Sequence, residues 1–273
     1  MYSIKPQRKY YFNIRKHVFI FLSFLVISGL IIFYINSQSL STIQRSIMHF
    51  DTVENNISCH YVDENDVLPS AEDRNFSPRP NSIFFHETSC RGGINSRQAC
   101  AVEAAARAHP ERQVYVMFSG PVSELVFQGS SIAKLRNLAN VRFARVHIAD
   151  YARNTPLETM VAGDPFAKSK WQVEHTSDIL RYLTLYKWGG VYLDTDMLVV
   201  KSLSPLGDTW VARESKDFVN AAAIAISMDD LGRRLAEAVI NKMMWTKFET
   251  TFLPKFVHII SYLFGIQSQK VKK

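Results

Sequence analysis

No GxxxxGK[ST] and no GxGxxG occurs anywhere in the 273 residues. Phosphate-cradling loops of the P-loop and dinucleotide type are therefore missing, and kinase, NTPase and dehydrogenase readings lose their main support. There is no internal repeat and no low-complexity tract, which excludes solenoids and biased linkers. The body of the chain also lacks positive charge. The formal net charge of +7 is carried at the ends, with +5 in the first seventeen residues and +4 from Lys247 onward, leaving −2 between them. That distribution has no nucleic-acid footprint, so no nucleic-acid partner is expected. Cysteine is scarce, at three residues, and its spacing fits neither CxxC nor a zinc knuckle. No His or acid cluster of the kind a hydrolytic metal site needs stands out.

What is present begins with an uncharged run, VFIFLSFLVISGLIIFYI, over 18–35. Its length approaches the roughly 20 residues needed to cross a bilayer, and no small-x-small cleavage site follows it. The expectation is an uncleaved signal-anchor: a cytoplasmic tail at 1–17, a transmembrane helix at 18–35, and a lumenal remainder, in single-pass type II topology. An oxidising lumen suits Cys90 and Cys100, which flank a Gly-Gly turn and are expected to close a small loop. The alternative is a pair of unpaired thiols, with Cys59 left free or pairing between chains. Asn56-Ile57-Ser58 is a glycosylation sequon, and Asn75-Phe76-Ser77, followed by Pro78, is a weaker one.

Residues 36–80 are polar, without clear apolar period, and end in prolines 69, 78 and 80; they read as a lumenal stem. From Asn81 short apolar runs alternate with helical patterns. Strands are expected at 82–88, 113–119, 141–148, 191–200, 210–212 and 222–227, and helices at 97–109, within 124–138, at 177–188 and at 229–244. This is an α/β domain over 81–246 with a mostly parallel sheet, followed by a divergent tail at 247–273.

The segment that carries chemistry is HTSDILRYLTLYKWGGVYLDTDMLVV, 175–200. Thr176 or Ser177 is placed to cap a helix, with Asp178 against its N-terminal dipole. Asp178, Arg181 and Leu185 share a helix face, Gly189-Gly190 stops the helix, and Tyr192, Asp194 and Asp196 alternate onto one side of the following strand. Two carboxylates at one strand end suit a hard cation, Mg²⁺ or Mn²⁺, whose shell substrate phosphates complete. Asp178 and Arg181 are then placed for a sugar or phosphate, and Tyr192 for the base or ribose. The duller alternatives are a cap for Asp178, a simple ion pair for Arg181 and a core position for Tyr192.

These residues resemble the DXD-containing sugar-binding region of glycosyltransferases, and within it the α-1,4-galactosyltransferase (lactosylceramide 4-alpha-galactosyltransferase, or globotriaosylceramide synthase) family. The resemblance runs over about 81–243 through SIFFHETS, ACAVEAAARAHP, VYVMFSG, HTSDILRYLTLYKWGGVYLDTD and FVNAAAIAIS. It implies a GT-A fold, a UDP-galactose or UDP-N-acetylgalactosamine donor and Mn²⁺. It further implies transfer with retention, an α-1,4 linkage to a glycosphingolipid acceptor, and a Golgi membrane location. By resemblance Asp194 and Asp196 are the metal and diphosphate ligands, Asp178 and Arg181 contact the donor sugar, Tyr192 contacts the nucleotide or sugar, and Asn220 lies near the donor. No residue identifies itself as a nucleophile. The family continues into a C-terminal region shaping the acceptor site, to which the residues after Lys247 show no match. Two other readings therefore stay open: a Golgi protein that binds a UDP-sugar or a partner without turnover, and a mannosyl- or glucosyltransferase using the same block.

Overall fold

A computed structural model describes residues 18, 22–23, 25–34, 57–163, 166, 169–215 and 219–245. Contacts divide the chain into two units, Met1–Glu54 and Asn55–Lys273. In the first, residues 25–34 are helical, and Leu25, Val26, Leu30, Ile31, Ile32 and Phe33 are exposed. Among the described residues no helix is long and apolar enough to cross a membrane, so the anchor expected over 18–35 has no support there. Asn56, residues 36–56 of the stem and the tail 247–273 lie outside the described residues.

The second unit is built on a six-stranded sheet. In chain order it runs β1 (Ile83–Glu87), α1 (Ser96–Ala108), β2 (Val114–Phe118), α2 (Glu124–Gly129), α3 (Ser131–Leu135), β3 (Val141–Arg145), α4 (Ile148–Tyr151) and α5 (Glu158–Ala162). There follow α6 (Gln172–Trp188), β4 (Gly190–Leu193), β5 (Trp210–Arg213), β6 (Val219–Ile226) and α7 (Asp230–Trp245). The strand order is β3-β2-β1-β4-β6-β5. The first four strands are mutually parallel, whereas β6 runs antiparallel to both β4 and β5. The α/β expectation holds, and three of the five strand pairings are parallel, as expected of a mostly parallel sheet; β6, antiparallel to both of its neighbours, makes the sheet mixed.

Strands β1 and β2 are buried at every position, as expected when both faces are covered. Alternation divides their side chains. Ile83, Phe85, Val114 and Val116 pack with Ala101, Val102 and Ala105 of α1 and Ile132 of α3. Phe84, Tyr115, Met117 and Tyr192 pack on the opposite face with Ile179, Leu180 and Leu183 of α6 and Val239 and Ile240 of α7. Each fully buried side chain of this size contributes about 1.5–3 kcal/mol, so the two layers clamp the sheet and fix where its strands end.

Several local expectations are corrected. The helix within 124–138 is two short ones, because Ser130 closes α2 and its hydroxyl accepts from Ile132 N (3.2 Å) to start α3. Helix α6 begins at Gln172, not at 176–177. Thr176 lies inside it, buried, with its hydroxyl returned to Gln172 O (2.7 Å), so it caps nothing. Strand β4 ends at Leu193 instead of near 200, because Met197 N bonds Asp194 O (2.9 Å) and turns the chain.

The cysteine pairing also differs. Cys90 is bonded to Cys59, and Cys100 is free and exposed on α1. Cys100 is held on a helix whose other face packs into the core, whereas the segment from Ile57 onward folds back over the end of β1. That segment is more than a spacer. Arg145 N bonds Pro69 O (2.8 Å), Ala71 N bonds Arg145 O (2.7 Å), and the buried Arg145 side chain reaches Asp66 at 3.0 Å. His60, buried, meets Thr88 O at 2.9 Å and Ser119 Oγ at 2.7 Å. Burial lowers its pKa to about 4, so it clamps the loop after β1 as a neutral ring.

Candidate functional site

The glycine pair after α6 sets the position of everything that follows. Gly189 and Gly190 have φ of +60° and +85°. A Cβ on Gly190 would lie 2.4 Å from Ser82 O. Only glycine permits that approach and that backbone, and it lets Val191 N bond Ser82 O (2.9 Å), registering β4 beside β1.

From β1 the chain passes through α1 to β2 on one side, while β4 docks on the other side of β1 with α6 covering the opposite face. The carboxyl ends of β1 and β4 therefore meet where the strand order reverses, the crevice in which open α/β sheets bind ligands. Asp194 follows β4 at that point, its N–H held by Ala222 O of β6 (2.7 Å).

Four of the expected site residues meet there. Arg181 donates to Asp194 Oδ1 (2.9 Å) and pairs with Asp178 Oδ1 (3.2 Å). The Tyr192 hydroxyl donates to the same Asp194 oxygen (2.6 Å) and contacts Ser177 Oγ at 3.2 Å. The guanidinium lies 4.5 Å from the centre of the Tyr192 ring. Burial opposes charge on Arg181, but the Tyr192, Asp194 and Asp178 oxygens outweigh it and hold the side chain protonated more firmly than usual. Burial raises Asp178 to about 6 against the pull of Arg181, with Asp194 and Glu174 adding to the rise.

Asp196 is exposed, and among the described residues no hydrogen bond or ion pair links it to this cluster. Asn220 is on β6, where its Oδ1 accepts from Ala222 N (2.8 Å). It thus braces the backbone that holds Asp194, and it is not in contact with the Asp178–Arg181 pair. Between the two acids, Thr195 Oγ1 accepts from Gln98 Nε2 (3.1 Å). Gln98 belongs to the capping box of α1, in which Asn95 Oδ1 accepts from Gln98 N and Gln98 Oε1 from Asn95 N, each at 3.0 Å. The positive end of α1 is thereby tied to the turn that carries both carboxylates.

The donor set suits a hard cation. It is all oxygen, and Asp194, whose side chain is 32% exposed, has one oxygen taken by Arg181 and Tyr192. Among the described residues its second oxygen has no protein donor, and Asp196, two positions further on, is exposed to solvent. Two buried groups at the same level are unsuited to proton transfer near neutrality or are locked internally. His86, packed 5.2 Å from the Tyr192 ring and bonded to Thr184 (3.1 Å), is pushed down to about 3 by burial and by Arg181. Glu87 ends β1 and is raised to about 7 by burial, with Ser89 and Arg91 around its Oε1.

Sequence reasoning missed Gln98, Ser177 in its real role, and Glu87. A carboxylate ending the apolar run IFFHE was a visible signal for Glu87. The link from Gln98 to Thr195 spans 97 positions and had none.

Residues 95–216 match the family described as "glycosyltransferase sugar-binding region containing DXD motif". The chain is similar to the lactosylceramide 4-alpha-galactosyltransferase of Mus musculus, 36% identical over 148 residues, covering 54% of this chain and 41% of that protein. It is also similar to the alpha-1,4-N-acetylglucosaminyltransferase of Homo sapiens, 27% identical over 126 residues, covering 44% and 37%. The chain thus spans less than half the length of these relatives. Among solved structures, PaToxG glycosyltransferase superposes with a TM-score of 0.45 at 16% identity, covering 71% of this chain and 72% of that one.

Proposed function

We propose that this chain, which over residues 95–216 matches the family of DXD-containing glycosyltransferase sugar-binding regions, binds a UDP-sugar in the β1–β4 crevice and transfers its hexose to a glycolipid. The observation that carries the reading is the convergence of Asp178, Arg181, Tyr192 and Asp194 at the carboxyl end of β4. The resemblance to a lactosylceramide 4-alpha-galactosyltransferase favours galactose, and that to an alpha-1,4-N-acetylglucosaminyltransferase keeps an N-acetylated hexose in play. Retention and the α-1,4 linkage are proposed on the same resemblance, as is the GT-A name for the fold.

In this reading Asp194 and Asp196 hold Mn²⁺ or Mg²⁺, which when bound supplies Lewis-acid neutralisation of charge on a departing nucleoside diphosphate. The protein's own contribution is preorganisation. Arg181 and Tyr192 take one oxygen of Asp194 and so fix the orientation of the other. Gln98 pins Thr195, which fixes the turn. Asp178 accepts from donor hydroxyls, and above pH about 6 it does so as the carboxylate. The capped start of α1 places its positive end toward a diphosphate.

We also place the domain in the Golgi lumen, attached through 18–35 in type II fashion. The Cys59–Cys90 bond supports an oxidising compartment, and the attachment rests on the uncharged run alone.

The test is binding of UDP-galactose and UDP-N-acetylgalactosamine with Mn²⁺ and with chelator, beside Asp194→Asn/Asp196→Asn. Metal-dependent binding that the double variant loses is expected. Binding indifferent to chelator in both proteins would remove the metal from this reading, and no binding by a folded wild type would remove the donor.

A further inference from the structure

Away from the crevice, the segment from Ile57 onward meets the loop after β1 at a group of soft donors. Cys59 and His60 are consecutive in a single 3₁₀ turn, Ser58–Tyr61, and Cys90 lies between β1 and α1. The two sulfurs and a ring nitrogen of His60 all fall within 4.8 Å of one another. In the oxidised chain the sulfurs are bonded to each other. Cys100 is not part of the group.

Two thiolates and an imidazole are a zinc donor set. A tetrahedral ion with bonds of about 2.0–2.3 Å spans ligands about 3.5–4 Å apart, so short side-chain movements bring these three atoms onto one ion. The imidazole is already fixed. Its Nε2 meets Thr88 O at 2.9 Å and Ser119 Oγ at 2.7 Å, while Nδ1 is buried and, among the described residues, has no hydrogen-bond partner. A ring N–H directed at a backbone carbonyl leaves the lone pair on the other nitrogen, the support usually given to a histidine that binds metal. The turn beneath is held as well, with His60 N bonded to Ile57 O (2.9 Å) and Arg145 Nη2 donating to His60 O (3.3 Å). Cys90 is exposed and Cys59 partly so, which gives a reductant and an ion access to the sulfurs.

We propose that reduction of the Cys59–Cys90 bond turns this group into a Zn²⁺ site, with both thiolates and His60 as ligands and water in the fourth position. A phosphine reductant gives two electrons to the Sγ–Sγ bond and leaves as its oxide, water supplying the oxygen and the two thiol protons. Zn²⁺ then displaces both protons as it takes the thiolates. The segment 57–73 is thereby clamped to the loop after β1 in either redox state, by a covalent bond or by an ion. Nothing in this site draws on the crevice binding a sugar.

The experiment uses the full chain carrying Cys100→Ser, which removes the uninvolved thiol, in its phosphine-reduced and its oxidised form. The reduced chain is expected to bind one equivalent of Co²⁺ with tetrahedral visible bands and sulfur charge transfer, both bleached by Zn²⁺. The oxidised chain is expected to show neither. Zn²⁺ should also raise the Tm of the reduced chain and shield both thiols from iodoacetamide. His60→Gln, checked for folding in its oxidised form, is expected to weaken Co²⁺ binding by about tenfold or more. Zinc-edge X-ray absorption of the reduced Cys100→Ser chain counts the ligands without the His60 variant, and two sulfurs with one imidazole are expected. A reduced chain without sulfur charge transfer overturns the proposal. So do an absorption edge without imidazole, an unchanged affinity in His60→Gln, and metal binding that leaves Tm unmoved, which would place the ion on unfolded thiols.

Discussion

Arg181→Gln is the perturbation whose consequence the structure defines most closely. The guanidinium bridges Asp178 at 3.2 Å and Asp194 at 2.9 Å with 9% of its side chain exposed. Glutamine keeps a polar end but no charge, so two carboxylates are left facing each other, one of them well buried. Removing one partner of a buried ion pair costs about 3–5 kcal/mol. The Asp194 half counts for less, because that side chain is 32% exposed and screened. A net loss of roughly 3–4 kcal/mol, on the order of 10 °C in Tm for a domain of this size, is the expectation.

The loss depends on pH, with a definite sign. Asp178 has a folded pKa of about 6 against an ordinary 3.8, so the folded state binds more protons than the unfolded chain in that window. Its contribution to stability is complete below the ordinary value and is lost as pH rises through the folded one. Without Arg181 to pull it down, the folded value rises further and the window widens. The variant's deficit is therefore smaller at about pH 5 than at about pH 8, and Asp178→Asn/Arg181→Gln recovers part of it at the higher pH. Urea unfolding of the three proteins across that range is the assay. A deficit independent of pH, or below about 1 kcal/mol, would refute the placement of Asp178 and Arg181 as a buried, mutually dependent pair.

Two further outcomes follow from packing and covalent structure. Gly190→Ala places a Cβ against Ser82 O at a positive φ and is expected to cost roughly 3 kcal/mol or more, read as lost soluble yield or lowered Tm; wild-type stability would show that β4 can shift away from β1. Cys59→Ser opens a bond spanning 31 positions and is expected to cost roughly 3–4 kcal/mol by loop entropy. Cys100→Ser, at a free exposed thiol, should leave thermal stability unchanged, and equal destabilisation by the two would contradict the pairing.

The block from α6 to Asp196 was legible because its signals are local. Helical spacing sets Asp178 and Arg181 on one face, two glycines announce a turn that L side chains resist, and strand alternation groups Tyr192 with Asp194. The strands were legible as apolar runs for the same reason. The boundaries of α6 and β4 were not, because a serine outside the helix and a turn beyond the strand decide them.

Sequence alone thus determined the α/β class, the helix–turn–strand unit and the identities of the acids, since each depends on neighbours a few positions away. Tertiary structure decided that β6 lies antiparallel beside β4, that Cys90 meets Cys59 across 31 positions, and that Gln98 holds Thr195 across 97. It also decided that Arg181 spends its charge on Asp194 as well as Asp178. Each of these depends on which distant segments share a burial layer, a choice made by the packing of the whole sheet between its helices.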